Sequence, residues 1–265
     1  MINDMATDPD TIKHYNENAE NYHRHVSDPN DSTYHYYYEK PAIRAELPNL
    51  NGLEVISLGC GSGVDTRWLA DSGAKRVVGI DVSTGLLDIA KTENPDLEFH
   101  EMNMEKLDFP DNSFDLAYSS LAIHYVDDWT VPLKEARRIL RPNGKYIFSC
   151  GHPVDSAVEY EIRDGFKYAV LGRKVNLETK QRKVYGDYLA ADGNGIKLIE
   201  GTLAAADVRV YHRPFSKMVE QILDSGLKIE KVIEPQPTAG LKTVDPAIHE
   251  QLKRIPAFMV WVLTK

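Results

Sequence analysis

The sequence has few of the residues that build disulfide frameworks or metal centres. Its only cysteines in 265 residues are Cys60 and Cys150, and no CxxC and no metal-spaced Cys/His pair is present. Two cysteines cannot make a disulfide framework, so a reduced, cytoplasmic setting is the expectation. We also expect no metal site.

The sequence also lacks a long hydrophobic run and an excess of positive charge. No stretch approaches the run of about 18 apolar residues that a transmembrane helix needs, and residues 1–10 are too polar for a secretory signal. The net charge is −9, which disfavours a nucleic-acid backbone as partner. We expect neither a membrane nor a nucleic acid as partner, and the sequence leaves monomer and homodimer open.

The chain contains four segments of different character. Residues 1–50 are polar and hold six of the 14 tyrosines and four of the nine histidines. Residues 51–150 alternate short apolar runs with helical patterns, whereas residues 151–213 are rich in charge, glycine and tyrosine. Residues 214–265 return to a helix followed by apolar strands. The third segment therefore predicts an insertion, not an independent domain, with a solvated hairpin at 173–183. In the first segment, short helices are expected at 11–22 and at 34–47, the second interrupted near Pro41.

The second segment predicts an α/β fold. Strands are expected at 53–58, 76–80, 97–102, 114–119 and 145–150, and helices at 64–71, 84–92 and 129–140. Strands that alternate with helices form a parallel sheet covered by helices on both faces. The near-continuous apolar strands fit a sheet that is buried on both sides.

A glycine loop follows the first of these strands. Gly59, Gly61 and Gly63 come directly after the strand, and glycine lets the backbone take positive φ and approach a ligand closely. Asp81 ends the second strand, where a carboxylate can accept hydrogen bonds from a ribose diol. The spacing is G-x-G-x-G, with Val64 where the dinucleotide fingerprint G-x-G-x-x-G has its last glycine. A nucleotide-like ligand is therefore expected at this edge of the sheet.

Four segments, 54–63, 78–83, 107–115 and 133–144, together resemble the class I S-adenosylmethionine (SAM)-dependent methyltransferases. The resemblance is to the small-molecule, methyltransferase type 11-like group and continues at 212–235. It implies a Rossmann-like seven-stranded, mainly parallel sheet with helices on both faces. The implied domains are an N-terminal helical lid (1–50), a SAM-binding core (51–150), an inserted cap over the acceptor (151–213) and a completion of the core sheet (214–265).

The resemblance also implies which residues hold the cofactor SAM, whose product is S-adenosylhomocysteine (SAH). Asp81 would bind the ribose hydroxyls, Val82 would pack on adenine, and Ser119 would approach the methionine moiety. Cys60 is interpreted as a small spacer within the loop. The full set of implied cofactor contacts is Tyr22, Tyr38, Gly59, Cys60, Gly61, Gly63, Asp81, Val82, Asn103, Met104, Glu105 and Ser119.

Two histidines follow strands at the carboxyl edge and are the candidate catalytic residues. His124 follows the fourth strand and His152 follows the fifth. Histidine titrates near neutrality, so either one is able to orient or deprotonate an acceptor. The alternative is that they only hydrogen-bond their loops or cover the cofactor.

A basic cluster closes the insertion. Arg209, Tyr211, His212 and Arg213 would bind an acidic acceptor or form surface salt bridges. Strand alternation predicts Arg209, Tyr211 and Arg213 on one face and His212 on the other.

The expected function is methyl transfer from SAM to a small-molecule acceptor by direct in-line displacement. An RNA or protein methyltransferase and a non-catalytic protein that binds SAM or a nucleoside stay open as alternatives. A dehydrogenase is disfavoured by the glycine spacing.

Overall fold

The computed structural model of the protein describes residues 8–190, 197–203 and 206–265, so parts of the predicted 151–213 cap lie outside the described residues. The helices are α1 (Pro9–Glu17), α2 (Ala19–Ser27), α3 (Lys40–Ala45), α4 (Val64–Asp71), α5 (Thr84–Glu93), α6 (Thr130–Ile139), α7 (Pro153–Ser156), α8 (Phe215–Asp224), α9 (Ala239–Val244) and α10 (Pro246–Leu252). A π-helical turn spans His35–Glu39 and a 3₁₀ turn spans Ile123–Tyr125. The strands are β1 (Glu54–Leu58), β2 (Arg76–Asp81), β3 (Glu98–Glu101), β4 (Phe114–Ser119), β5 (Leu140–Gly151), β6 (Glu159–Arg163), β7 (Phe166–Val170), β8 (Gly172–Val175), β9 (Arg182–Tyr185), β10 (Lys197–Leu203), β11 (Ala206–His212), β12 (Lys228–Ile233) and β13 (Phe258–Thr264).

Seven strands form one central sheet, in the order β12-β13-β5-β4-β1-β2-β3. β1 to β5 pair in parallel, whereas β13 runs antiparallel to both β5 and β12. The strand order reverses next to β1, so the carboxyl ends of β1 and β4 meet at the switch point where α/β folds bind ligands. The predicted seven-stranded, mainly parallel, Rossmann-like sheet is confirmed.

The strands are apolar throughout because helices cover both faces of the sheet. Successive residues of β1 enter different hydrophobic clusters: Ile56 and Leu58 pack with α6, whereas Val55 packs with Leu69 of α4. Each of these side chains is buried. This two-sided burial explains why the strands show no polar alternation in sequence.

The N-terminal residues form the lid from more pieces than expected. We expected one helix over 11–22, but Asn18 ends α1 and begins α2 with a non-helical φ of −112°. We expected an interruption at Pro41, but Pro41 lies in the first turn of α3, where a missing N–H costs nothing. The π-helical turn before it places Glu39 against the sheet.

Lid helix α1 is attached to the core and to the insertion. Asn16 Oδ1 accepts hydrogen bonds from Ser83 Oγ at 2.7 Å and from the Gly85 N–H at 3.0 Å, at the start of α5. Thr11 Oγ1 accepts from the Arg209 N–H on β11 at 3.0 Å. Helix α1 therefore joins the start of α5, at the carboxyl edge of the sheet, to the inserted segment.

The insertion contains three antiparallel two-stranded sheets, β6–β7, β8–β9 and β10–β11, none of which joins the central sheet within the described residues. The predicted solvated hairpin at 173–183 is confirmed as β8–β9, whose residues are exposed apart from Tyr185. The short helices α9 and α10 were not predicted. Each helix has a single buried apolar residue, Leu241 in α9 and Leu252 in α10. One apolar residue in a helix does not produce a periodic pattern that predicts it.

Candidate active site

The glycine loop after β1 is shaped by close contact with the loop after β4. Gly59 has a φ of +67°, and a Cβ added there would lie 2.4 Å from the Cβ of Ala122. Gly61 also has a positive φ, +54°, which favours glycine. The loop therefore follows a path that side chains at these two positions would block.

Asp81 ties this loop to the second strand. Its Oδ2 accepts a hydrogen bond from the Gly61 N–H at 2.8 Å, and its Oδ1 accepts from the Ser83 N–H at 2.9 Å. Burial raises the pKa of the Asp81 carboxyl, although the backbone N–H donors oppose that shift. The Val82 N–H also donates to this carboxylate, which has about four acceptor positions and so keeps capacity for a ribose hydroxyl.

A cleft of about 680 Å³, open mouth included, lies between the lid and the carboxyl ends of the strands. Its volume suits a nucleoside-sized ligand. Its lining residues come from α1, α2, the glycine loop, the β2 and β3 ends, and the loop after β4. They are Thr11, Ile12, Tyr15, Tyr22, Gly59, Gly61, Asp81, Val82, Ser83, Leu86, Met102, Asn103, Met104, Ser120, Leu121, Ala122 and Tyr125.

Three tyrosines form an aromatic wall over this cleft. The hydroxyls of Tyr15 and Tyr125 lie 2.6 Å apart, and the Tyr15 ring meets the Tyr22 ring edge-on at 5.2 Å. Burial raises the pKa of all three phenols, that of Tyr125 to about 12, so they stay neutral. The wall presents flat apolar surfaces with a few hydroxyl groups, which suits an adenosine or an aromatic ligand.

A second compartment of about 500 Å³ lies beside the first, at the start of α4. It shares Tyr22, Gly59, Gly61, Ser120 and Leu121 with the cleft, so the two are continuous. Its other lining residues are more polar. They are Val26, His35, Lys40, Ser57, Cys60, Ser62, Val64, Asp65 and Tyr118.

Lys40 brings a buried positive charge to the second compartment. It is 5 % exposed, its Nζ lies 3.9 Å from Asp65 Oδ1, and it has no hydrogen-bond partner among the described residues. The ammonium also lies 4.7 Å from the centre of the Tyr36 ring, so Asp65 and this ring stabilise it in part, and its free N–H donors favour an anionic ligand group. Lys40 and Asp65 together match the carboxylate and ammonium of an α-amino acid.

Comparison with known proteins agrees with this geometry. Residues 56–148 match a family described as a methyltransferase domain. An S-adenosylmethionine-dependent methyltransferase from Mesorhizobium loti is 32% identical, with a TM-score of 0.66 over 86% of this chain and 97% of that one. A putative enzyme of the same description from Listeria monocytogenes is 27% identical, with a TM-score of 0.69 over 86% and 96%.

A malonyl-[acyl-carrier protein] O-methyltransferase from Serratia marcescens is 32% identical, but over only 37% of this chain and 38% of that enzyme. The sheet order and the glycine loop with Asp81 define a class I fold. The chain belongs to the SAM-dependent methyltransferases, and its cofactor is SAM.

The residues present fit this cofactor. The cleft with Asp81 suits the adenosine, and the compartment with Lys40 suits the amino-acid end. Eight of the twelve predicted cofactor residues line one compartment or both: Tyr22, Gly59, Cys60, Gly61, Asp81, Val82, Asn103 and Met104.

Two of the other four lie away from both compartments. Tyr38 is fully buried in a cluster with Leu241 and Leu252, and its hydroxyl accepts from the Ala257 N–H at 3.3 Å. Ser119 is also fully buried, and the next residue, Ser120, lines the compartments instead. The sequence located the end of β4 but not which of the two serines faces the ligand.

Gly63 and Glu105 support the site without lining it. Gly63 begins α4 with a φ of +82°. Glu105 accepts a hydrogen bond from Asn103 Nδ2 at 2.9 Å, which orients that amide at the adenine end. Contact of either with the cofactor stays a prediction.

His124 is a poor proton acceptor in this environment. Its Nδ1 is buried without a hydrogen-bond partner among the described residues, and its ring lies 4.5 Å from that of Tyr125. Burial, with the nearby charge of Arg213, lowers the pKa of His124 to about 3. The imidazole is therefore neutral at physiological pH. His124 does not line either compartment, so a role in handling the acceptor stays a prediction.

His152 is 5 % exposed and does not line either compartment. Its Nδ1 accepts from the Val154 N–H at 3.2 Å, which caps α7, and its Nε2 lies 3.1 Å from Glu234 Oε1. Both ring nitrogens are thus already engaged. Its catalytic role stays a prediction without a contact to support it.

The basic cluster at the end of the insertion is divided by the fold. Arg209 pairs with Asp8 at 2.9 Å, which holds the lid. Arg213 lies beyond the end of β11 and is 1 % exposed; it stacks on Trp129 and donates to the Val126 carbonyl. The predicted alternation, with Arg209, Tyr211 and Arg213 on one face of the strand, does not extend to Arg213, because β11 ends at His212.

Several lining residues were missed. Tyr15 lies on α1 and Tyr22 on α2, with the Asn18 break between them, so helical spacing alone does not bring them together. Tyr125 and Leu121 follow β4 in an irregular loop that carries no periodic signal. Lys40 looked like an ordinary surface lysine.

Among the described residues, no group of three or more His, Cys, Asp or Glu side chains is arranged to hold a metal ion. Within the same ranges, no helix is long and apolar enough to cross a membrane.

Replacing Lys40 distinguishes the contributions of the two compartments to ligand binding. We expect Lys40→Met to weaken SAH binding by about tenfold, because a charge-assisted contact to the amino-acid carboxylate is lost. Binding of 5′-methylthioadenosine, which lacks the amino-acid end, should stay unchanged. Calorimetric titration of both ligands measures this, with the exposed Lys91→Met as the matched control. Equal losses for both ligands would contradict the assignment.

Proposed function

We propose that the protein transfers the methyl group of SAM to a small-molecule acceptor. The observation that carries this proposal is the lid, which covers the cleft from three directions. α1 contacts Ser83 and Gly85 at the start of α5, the Tyr125 loop, and β11. A cleft covered in this way favours an acceptor that is enclosed with the cofactor.

Bound SAM supplies a methyl group on a sulfonium that is already a good leaving group. The chain's own task is to orient the acceptor and exclude water, which accounts for much of the rate enhancement in such reactions. The Tyr15–Tyr125 contact and the apolar cleft residues Leu86, Met102 and Met104 exclude water around the adenosine end.

The acceptor's reactive group should arrive ready to attack. The tyrosines on the cleft keep raised pKa values, and the pKa of His124 is lowered to about 3, so none of them takes up a proton readily at neutral pH. A carboxylate, a thiolate or a neutral amine needs no such base. The Serratia marcescens relative is named for O-methylation of a malonyl group on an acyl-carrier protein, which makes carboxylates a first choice for screening.

The test is a screen for methyl transfer from labelled SAM to a library of small metabolites, with carboxylic acids, thiols, phenols and amines represented equally. The enzyme is expected to label a member of the carboxylate, thiol or amine sets. A carrier-protein-bound acyl group, an RNA and a protein extract are run in parallel. Labelling of RNA or protein, with none of any small molecule, would favour the alternative class.

The partners follow from the same proposal. We propose a small-molecule acceptor with no nucleic acid and no membrane as partner, a cytoplasmic location, and a monomer or homodimer. The net charge of −9 supports the exclusion of nucleic acid.

A further inference from the structure

The two compartments indicate where the sulfur of the cofactor would be held. It joins the adenosine to the amino-acid part, so in bound SAM it would be placed where the cleft and the second compartment meet. The residues that line both are Tyr22, Gly59, Gly61, Ser120 and Leu121. The group directly behind this junction therefore faces a positive sulfonium before transfer and a neutral thioether afterwards.

Glu39 lies directly behind the junction. Its Oε1 accepts a hydrogen bond from Ser120 Oγ at 3.0 Å and one from Ser149 Oγ at 2.5 Å. Ser149 Oγ in turn accepts from the Leu121 N–H at 3.0 Å. Leu121 has a φ of +50°, so this network holds a strained turn that lines both compartments.

The Glu39 carboxyl is buried and incompletely satisfied. The residue is 0 % exposed, and its Oε2 has no hydrogen-bond partner among the described residues. The nearby charge of Lys40 offsets part of the cost of burying this carboxylate, and a further positive charge would stabilise it more. The mechanism proposed above makes no use of it.

We propose that Glu39 is a positioning residue whose negative charge complements the sulfonium, so that the enzyme holds SAM more tightly than SAH when Glu39 is ionised. Loss of the positive charge on methyl transfer then leaves the product bound less tightly than SAM. This inference rests on the cofactor and not on the acceptor, so its test and the acceptor screen fail independently.

The charge on Glu39 changes in the neutral range. Burial, reinforced by the nearby charge of Asp65, raises the pKa of Glu39 to about 7, against the hydrogen bonds from the two serines. The carboxyl is neutral below this pH and ionised above it. A bound cation favours the ionised form, so SAM affinity should rise with pH through this range, whereas SAH affinity should not.

Other ionisable groups face this region from the surrounding elements. They are Lys40 and His35 of the lid, Tyr22 and His23 of α2, Asp65 of α4, Tyr118 of β4 and His124 after it. The pKa of His35 is lowered to about 4 and that of His124 to about 3, mainly by burial, and those of Tyr22 and Tyr118 are raised. His23, 2.9 Å from Ser62 Oγ, needs its own control variant.

The experiment is calorimetric titration of SAM and of SAH at about pH 6 and about pH 8. In the wild-type protein we expect the preference for SAM over SAH to increase by about fivefold between these two pH values. Glu39→Gln should show the same preference at both pH values. His23→Asn should behave as the wild type, and Asp65→Asn should weaken both ligands without abolishing the change with pH.

A second measurement needs no variant. Titrations near the Glu39 pKa, repeated in buffers of different ionisation enthalpy, count protons. SAM binding should release a fraction of a proton and SAH binding none. The proposal would be overturned if the wild-type preference for SAM over SAH did not change with pH. It would also be overturned if Glu39→Gln showed the same change with pH as the wild type, or if both ligands released equal numbers of protons.

Discussion

Asp81→Ala should weaken SAH binding by about a hundredfold. The substitution removes both hydrogen bonds to the ribose diol, and hydrogen bonds to a charged group contribute about 1.5–3 kcal/mol each. It also removes the acceptor of the Gly61 N–H, which lies 2.8 Å from Oδ2, so the glycine loop loses its attachment to β2. Calorimetric titration with SAH measures the change.

Two control variants distinguish the loss of the Asp81 carboxylate from other effects of the substitution on SAH affinity. Asp81→Asn keeps the size of the side chain and one acceptor oxygen, so an intermediate loss is expected. Asp96→Ala removes a surface carboxylate that pairs with Arg67, and it should leave SAH affinity unchanged. Affinity in Asp81→Ala within about twofold of the wild type would place the ribose elsewhere.

Gly59→Ala should lower both affinity and stability. The new Cβ would lie 2.4 Å from the Cβ of Ala122, and alanine must also adopt a φ of +67°. Strain of this kind costs about 1–3 kcal/mol and is relieved only by moving the loop. Because the moved loop lines both compartments, SAH binding should fall by at least about tenfold. Thermal unfolding and SAH titration report the two effects.

Gly151→Ala is the matched control. A Cβ at Gly151 meets no atom within 4 Å, and its φ is not in the left-handed region. Stability and SAH affinity should therefore stay near those of the wild type. A Gly59→Ala protein that binds SAH normally would show that the loop after β4 yields to accommodate the methyl group, and the close approach would then not be a requirement of the site.

The core of the site was predictable because its signals are local. The strand, the glycines 59, 61 and 63, and Asp81 lie within one β–α–β unit, where chain order and spatial order agree. Both faces of the sheet are covered, so short apolar runs were enough to locate the strands. The seven-stranded order itself came from the resemblance to a family.

The lid residues were harder to assign because their roles depend on distant contacts. Tyr22 and Tyr38 have similar sequence surroundings, but Tyr38 packs on α9 and α10. No periodic pattern in the sequence predicted these two helices. No role was predicted for Glu39, because only the π-helical turn places it against Ser120 and Ser149. Burial of a charged side chain carries no local sequence signal.

The triple attachment of α1 has a consequence for the timing of turnover. Asn16, Tyr15 and Thr11 hold this helix to α5, to the loop after β4 and to β11. We expect the cofactor to exchange only after α1 leaves these three neighbours. Residence times of SAM and SAH should therefore share one slow step, and single substitutions in α1 should accelerate the departure of both by the same factor. The rate of turnover would then be limited by the movement of a nine-residue helix and not by methyl transfer.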